Sequence, residues 1–157
     1  MRINNNVMNY TFDGSRVFFT SDTHFNHTNI IRFCDRPFGS TEEMNEKLIG
    51  NHDLKNMKQG FIGRFEHVAM EMRIEIGKQK IYLNHYPFLC FEGGYKDVWQ
   101  LFGHVHTRKN NTGIDAGRLQ YLYPTQYDVG VDNNDFMPVS FEQVKKIIEK
   151  QVKESKI

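Results

Sequence analysis

The sequence predicts an α/β fold in which short strands alternate with helices. Apolar, strand-like runs occupy residues 17–21, 80–84 and 98–102, and amphipathic helical patterns occupy residues 40–48 and the segment from about residue 141. Each of the three strand-like runs leads directly into a hydrophilic patch that contains histidine. Because open α/β sheets bind ligands beyond the carboxyl ends of their strands, we expect the three patches to share one crevice.

The first half of the chain opens with a predicted hairpin. Residues 9–12 and the run from Val17 form its strands, and Asp13-Gly14 forms its turn. A short helix is expected over residues 29–34. A second helix follows over residues 40–48, where Ser40 and Glu43 have the spacing of a capping box.

The second half begins with another predicted hairpin, made of residues 70–76 and 80–84 around a Gly77-Lys78 turn. A loop at Gly93-Gly94 is expected near the crevice, before the strand over residues 98–102. Residues 127–131 predict the last strand. A helix then begins at about residue 141.

The composition fits a single globular domain spanning residues 1–157. Of these residues, 39% are hydrophobic and 13% aromatic, enough for a true core. The 20 basic residues nearly balance the 19 acidic ones, which gives a net charge of +1. This balance provides no field that would attract nucleic acid or a membrane surface, so any phosphate recognition must be local.

Cysteine usage and hydropathy bear on the compartment. Cys34 and Cys90 are too few for a disulfide framework or a thiolate zinc site, which favours a reducing compartment. The amino terminus lacks the apolar segment of a signal peptide, and no run of about 18 apolar residues occurs. A soluble, cytoplasmic protein is therefore expected.

Six of the seven histidines fall in four short hydrophilic patches, at residues 21–27, 50–53, 84–85 and 103–106. A divalent cation needs several imidazole and carboxylate or amide groups converging on one point, which strand ends would supply. Taken singly, each patch also suits a turn or a helix cap. His67 has no partner motif and is expected to be an ordinary residue, whereas His27 would either start the helix at residues 29–34 or stand near the site.

The ordered motifs resemble those of the calcineurin-like metallophosphoesterases, of the small single-domain kind found in bacteria and phages. The motifs are Asp22-x-His24, Gly50-Asn51-His52-Asp53, His85 and Gly103-His104-x-His106, with further likeness at residues 36–38 and 127–132. The resemblance implies two packed sheets flanked by helices. It also implies hydrolysis of a phosphomonoester or phosphodiester by a metal-activated water, with a phosphorylated small molecule or nucleotide as substrate.

Matching positions imply roles for individual residues. One metal, of the manganese, zinc or iron type, would be held by Asp22, His24 and His106. A second would be held by Asn51, His85 and His104, with the two ions roughly 3.5 to 4 Å apart. His52 would protonate the leaving oxygen or stabilise the transition-state charge, with Asp53 orienting its ring. Apart from these matches, His27, Arg36 and Arg108 are weaker candidates for holding phosphate oxygens, because they lie close in sequence to the expected site.

The chain departs from this family at one motif. The family has a Gly-Asp dipeptide whose aspartate bridges the two metals, and this sequence contains none. Only Ile49 separates the helix over residues 40–48 from Gly50, whereas a parallel crossover needs at least about 10–12 residues. The fold is therefore expected to be abridged by the loss of a central strand-helix-strand block. The sheet would close up, or a second copy of the chain would complete it in a homo-oligomer.

The missing motif leaves the metal count and the activity open. Asp22 is the one carboxylate among the six implied ligands, so one ion is better neutralised than two. The missing bridge would be replaced by a carboxylate from Asp53, Asp115, Asp132 or a second chain, or by the phosphate of the substrate. Three functions follow as alternatives: a metal-dependent phosphoesterase, a catalytically impaired metal-binding or scaffold module, and a mononuclear metal hydrolase acting on a non-phosphate ester.

Overall fold

The computed structural model describes residues 12–48, 69–107 and 116–155. Within these ranges the fold is mixed α/β, as predicted. The larger sheet has four strands in the order β2-β3-β4-β5. These strands are β2 (Glu71–Ile76), β3 (Gln79–Asn84), β4 (Trp99–Phe102) and β5 (Gln126–Asp128). β2 and β3 are antiparallel, whereas β3, β4 and β5 run parallel, so their carboxyl ends meet at one edge.

A second, two-stranded sheet joins the larger one at this edge. Its strands β1 (Phe18–Phe19) and β6 (Val139–Ser140) are antiparallel. Just beyond β1, Ser21 forms a parallel bridge with Gly130. Its N–H donates to the Val129 carbonyl at 3.2 Å, and its own carbonyl accepts from the Val131 N–H at 3.1 Å. The chain leaving β1 therefore lies beside the chain leaving β5.

Three helices accompany the sheets: α1 (Thr28–Phe33), α2 (residues 41–48) and α3 (Phe141–Glu154). α3 begins with a complete capping box, formed by Ser140 and Gln143, which have the sequence spacing of this motif. At α2 only half of the predicted box forms. The Ser40 hydroxyl accepts from the Glu43 N–H at 3.2 Å, but the Glu43 carboxylate accepts from the Gly39 N–H.

The core lies between α3 and one face of the larger sheet. Val144 and Ile148 of α3 are buried in the same apolar cluster as Ile81 and Leu101. Trp99 packs against Phe141, with ring centroids 5.7 Å apart. Burial of these side chains is the main free-energy source that holds α3 on the sheet.

Some predicted boundaries and one predicted location are wrong. The last strand ends at Asp128, because residues 131–133 form a 3-10 turn instead. The Gly93-Gly94 turn precedes β4 and hydrogen-bonds Val98, so it lies at the sheet edge opposite the predicted crevice. The β2–β3 hairpin is confirmed, with Gly77 at φ +61° in its turn. The first predicted hairpin includes residues 9–11, which lie outside the described residues.

Among the described residues, no helix has the length and apolarity to cross a membrane.

Candidate metal centre

The carboxyl ends of β1, β3 and β4 bring the predicted motifs together. Asp22 and His24 follow β1, His85 follows β3, and His104 and His106 follow β4. The Gly103 N–H donates to the His85 carbonyl at 3.0 Å, which ties the ends of β3 and β4 together. These five residues therefore form one cluster, although the first and the last of them are more than 80 positions apart in the sequence.

Asp22 lies at the centre of this cluster, with its side chain only 2% exposed. Its Oδ2 accepts hydrogen bonds from the Ser21 hydroxyl at 2.8 Å and from the His104 N–H at 2.9 Å. Its Oδ1 faces Nε2 of His24 at 3.9 Å and Nε2 of His85 at 3.8 Å. One oxygen thus fixes the carboxylate, and the other is directed at the imidazoles.

The four histidine rings form two pairs around this carboxylate. His24 and His106 have ring centroids 5.4 Å apart, and His85 and His104 have centroids 5.2 Å apart. Asp22 Oδ1 approaches one ring of each pair. The ligand atoms of Asp22, His24 and His106 lie within 4.8 Å of one another, a spacing that suits a metal ion.

The backbone at both Asp/His-x-His motifs is in a conformation that side chains usually avoid. Asp22, His24, His104 and His106 have φ values of +56°, +52°, +69° and +46°. Such left-handed conformations are unfavourable for non-glycine residues and tend to cluster at functional sites. In each loop the two residues with positive φ are separated by one residue without it. The same pattern in two separate loops indicates that the surrounding structure holds both loops in this conformation.

Gly103 allows these loops to approach each other. A β-carbon built at this position would collide with Asp22 Oδ2 and the Ser21 hydroxyl. Only glycine leaves room for Asp22 to reach the His104 N–H.

His106 is oriented by Asp132. His106 Nδ1 lies 2.6 Å from Asp132 Oδ2. The other ring nitrogen, Nε2, is therefore the one that would bind a metal ion. This hydrogen bond is the main reason why the pKa of His106 is raised. Burial acts to raise the pKa of Asp132, but hydrogen bonds from His106 and Arg36 outweigh burial and lower it.

Arg36 was predicted to hold phosphate oxygens, and the structure shows that this prediction is wrong. Its side chain has no exposed surface and binds Asp132 through Nε at 2.9 Å and Nη2 at 2.7 Å. It also donates to the carbonyls of Thr23 at 2.9 Å and Asp22 at 2.7 Å. Arg36 therefore supports the loop of residues 22–24 from beneath and does not reach solvent.

Asp132 is equally unsuited to the bridging role considered for it. Both of its oxygens are bound by the Arg36 guanidinium. A second group of potential ligands, formed by Cys34, His106 and Asp132, also lies within 4.8 Å. A dication there would compete with an adjacent guanidinium for the same carboxylate, so the group containing Asp22 fits a metal better.

Asp128 is a third carboxylate beneath the site. Its Oδ2 accepts from the N–H and hydroxyl of Thr107, and its Oδ1 accepts from the Gly130 N–H. Burial raises its pKa in spite of these hydrogen bonds. Sequence reasoning missed this role, although Asp128 stands in the segment 127–132 that contributed to the family resemblance.

The protonation of His24 also suits ligation. Its pKa is lowered, first by burial and then by the neighbouring charges of His106 and Arg36. A lowered pKa favours the neutral imidazole, which is the form that binds metals.

Of the remaining predicted residues, only His27 lies in the described part of the chain. His27 is exposed at the start of α1, with its ring centroid 5.5 Å from that of His24. Thus His27 both begins the helix and stands near the site. Six residues of the sequence predictions lie outside the described residues, namely Asn51, His52, Asp53, His67, Arg108 and Asp115.

Comparison with known proteins adds one relative. The uncharacterized protein MJ1445 of Methanocaldococcus jannaschii is 28% identical over 169 residues, covering 86% of this chain and 92% of that protein. The aligned length exceeds the 157 residues of this chain, so the relative contains residues with no counterpart here. No protein-family model matches the chain. No solved structure matches it either.

Proposed function

We propose that the protein is a metal-dependent phosphoesterase with an abridged calcineurin-like metallophosphoesterase fold. The observation that carries this proposal is the cluster of four imidazoles around Asp22 at the carboxyl edge of the sheet, in which His24 and His85 face one carboxylate oxygen and each pairs with a second histidine ring. The order of these residues along the chain matches the family's motifs. The extra residues of the archaeal relative support an abridged fold, because a longer relative is expected if an internal block is absent here.

The donor set fits a divalent ion of the manganese, zinc or iron type. Asp22, His24 and His106 would hold it, and Nε2 of His85 faces the same carboxylate oxygen at 3.8 Å. A bound divalent ion lowers the pKa of its water and polarises a phosphoryl oxygen. His24 and His85 have side chains 34% and 49% exposed, so substrate has access to the site from solvent.

The charge of the described residues favours one tightly bound ion. Asp22 Oδ1 is directed at the histidines, whereas Asp128 and Asp132 have both oxygens engaged by donors. A single carboxylate compensates one dication much better than two at close range. A second ion at His85 and His104 would depend on the phosphate of the substrate for its negative charge.

Hydrogen bonds within the protein orient the candidate metal ligands. Asp132 fixes the ring of His106, and Ser21 with the His104 N–H fixes the carboxylate of Asp22. Orientation before substrate arrives lowers the cost of assembling the reactive geometry. His52 remains the predicted proton donor to the leaving oxygen, with Asp53 as its orienting partner.

The alternative is a catalytically impaired metal-binding or scaffold homologue. It is favoured by the absence of a Gly-Asp dipeptide from the sequence, which removes the family's bridging aspartate. The homo-oligomer predicted from the shortened sheet is compatible with the enzyme and with the impaired homologue, because in both a second chain would supply the missing strand. A non-phosphate ester as substrate is the third proposal.

The first test is metal content measured beside turnover. The protein is loaded with manganese, its bound metal is measured by mass spectrometry, and hydrolysis of bis(4-nitrophenyl) phosphate is followed. Asp22→Asn should remove both metal and turnover. Asp97→Asn removes the same charge at an exposed position at the opposite edge of the sheet, and it should leave both unchanged.

The outcomes separate the proposals. A folded Asp22→Asn variant with full metal content would contradict the proposed centre. Metal binding by wild type without turnover would support the impaired homologue. His52→Ala should remove turnover and leave metal bound, so an unchanged rate would rule out its catalytic assignment. Hydrolysis of a carboxylate ester in place of the phosphate ester would support the third proposal.

A further inference from the structure

A large apolar cleft opens beside the histidine cluster. Its volume is about 890 Å³, within the range of small-molecule sites, and most of its surface comes from apolar and aromatic side chains. Its walls include Tyr86, Phe88, Leu89, His104, Leu119 and Tyr121. The proposed metal chemistry does not use the apolar part of this cleft.

The cleft is continuous with the candidate metal centre. His104 belongs to both, since it lines the cleft and pairs with His85. The ring of Tyr86 lies 4.5 Å from that of His104 and 5.1 Å from that of His85, measured between centroids. A ligand in the cleft would therefore have one end against the imidazoles.

One wall of the cleft is held by buried amides. Gln100 is fully buried, and its Oε1 accepts from the Phe88 N–H while its Nε2 donates to the Tyr86 carbonyl, both at 2.9 Å. Gln126 Nε2 donates to the Phe88 carbonyl at 2.9 Å. Satisfied, buried hydrogen bonds of this kind make a rigid support for a binding surface.

The cleft also leaves large apolar side chains in contact with solvent. Tyr86, Leu89 and Tyr121 are 52%, 66% and 65% exposed, although all three line the same cavity. Clustered exposed apolar groups around a concave surface are typical of binding sites. Tyrosine rings in particular provide flat faces on which a planar aromatic group stacks.

We propose that this cleft binds the aromatic part of a phosphoester whose phosphate lies at the histidine cluster, so that the substrate is an aryl or nucleoside phosphate. The proposal rests on the proposed function for the position of the phosphate. It adds the identity of the organic part of the substrate, which the metal centre alone does not define. Aliphatic phosphoesters would leave the tyrosine faces unstacked and bind more weakly.

Equilibrium binding tests the proposal without turnover. Manganese-loaded protein is titrated calorimetrically with phenylphosphonate, hexylphosphonate and methylphosphonate, which share the phosphonate and are not hydrolysed. Phenylphosphonate should bind about 10-fold tighter than methylphosphonate, as expected for one stacked ring. Tyr121→Ala should remove most of this preference. Tyr95→Ala, which truncates a tyrosine 69% exposed and remote from the cleft, should preserve it.

Each result has a distinct meaning. Equal binding of phenylphosphonate and methylphosphonate would overturn the cleft assignment alone and leave the proposed function standing. Hexylphosphonate binding as tightly as phenylphosphonate would overturn the aromatic specificity. An unchanged preference in Tyr121→Ala would place the aromatic site elsewhere. Failure of all three phosphonates to bind would overturn the proposed function as well.

Discussion

At the scale of single residues, Asp22 shows how one side chain serves two purposes. Oδ2 is occupied by Ser21 and the His104 N–H, while Oδ1 faces two imidazoles. Ligation through Oδ1 alone is therefore expected, because Oδ2 would have to give up two hydrogen bonds to bind an ion. The supporting hydrogen bonds orient the ligand in the way that surrounding groups orient ligands in metal sites generally.

Asp132→Asn tests this orientation at His106. The substitution keeps the shape of the side chain but removes the charge that holds Nδ1 of His106. Manganese affinity should fall by roughly 10- to 100-fold, as is usual when a ligand loses such a partner. Competition with a chromophoric chelator measures the change. Asp135→Asn, at an exposed position three residues away, is the matched control. Equal affinities in the two folded variants would contradict the role of Asp132.

The residue scale also shows what sequence could and could not predict. Asp22, His24, His85, His104 and His106 were singled out from their motifs, and the structure brings all five together. Arg36 was misassigned, because a basic residue near a phosphate motif suggests solvent contact and its burial depends on Asp132, which is 96 positions away. Long-range pairing of this kind leaves no local pattern in the sequence.

At the scale of elements, local signals were the most reliable. The β2–β3 hairpin and the start of α3 depend on residues close in sequence, namely the Gly77 turn and the Ser140–Gln143 capping box. The end of β5 was mispredicted because residues 129–131 have strand-like composition. There the Ser21 bridge and the 3-10 turn use the backbone groups that a longer strand would need.

Ser140→Ala tests the contribution of the cap to α3. The hydroxyl of Ser140 accepts from the Gln143 N–H, and without it that N–H is left unpaired at the helix start. The free energy of unfolding should fall by about 1 kcal/mol, measured by urea denaturation. Ser155→Ala, at the exposed carboxyl end of the same helix, should have a smaller effect. A larger loss at Ser155 would contradict the role assigned to the cap.

Tyr127 should make stability depend on alkaline pH. Its hydroxyl donates to Asn134 Oδ1 at 2.7 Å, and burial, followed by the charges of Asp128 and Asp135, raises its pKa. Since the folded pKa lies above the unfolded value of about 10, this stability is present below pH 10 and is lost as pH rises through the folded pKa.

Tyr127→Phe provides the measurement. The variant should lose about 1 kcal/mol of unfolding free energy at neutral pH, because it lacks the hydrogen bond to Asn134. Its stability should then fall less than that of wild type between pH 9 and pH 11, as followed by urea denaturation at each pH. Tyr121→Phe, at an exposed tyrosine, should follow the wild-type profile. Parallel profiles for Tyr127→Phe and wild type would contradict the assignment.

At the scale of the whole molecule, the two sheets meet where the site lies. The Ser21–Gly130 bridge joins the segment after β1 to the segment after β5, so both halves of the described chain contribute to one edge. Sequence predicted a shared crevice from strand ends but not the order β2-β3-β4-β5, which depends on contacts distant in the chain. The proposed loss of an internal block rests on the missing Gly-Asp motif and on the residues of the archaeal relative that have no counterpart here.

Arg36→Met tests how strongly the two halves are held together. The substitution would leave the buried carboxylate of Asp132 without its guanidinium, and breaking such a pair typically costs about 3–5 kcal/mol. Urea denaturation should show a loss of this size. Arg32→Met, on the exposed side of α1, should cost much less. If the first variant does not fold, a thermal scan of Arg36→Lys gives the same comparison, and wild-type stability there would contradict the role.

Arg36 has a consequence for the choice of ion. Its planar guanidinium donates to the carbonyls of Asp22 and Thr23 and to the carboxylate of Asp132, and Asp132 in turn holds His106. The gap between the two ligand loops is therefore set by a rigid spacer before any ion arrives. A gap of fixed width discriminates between ions by radius, so the ion selectivity of the proposed centre would depend on a side chain that is not among its ligands.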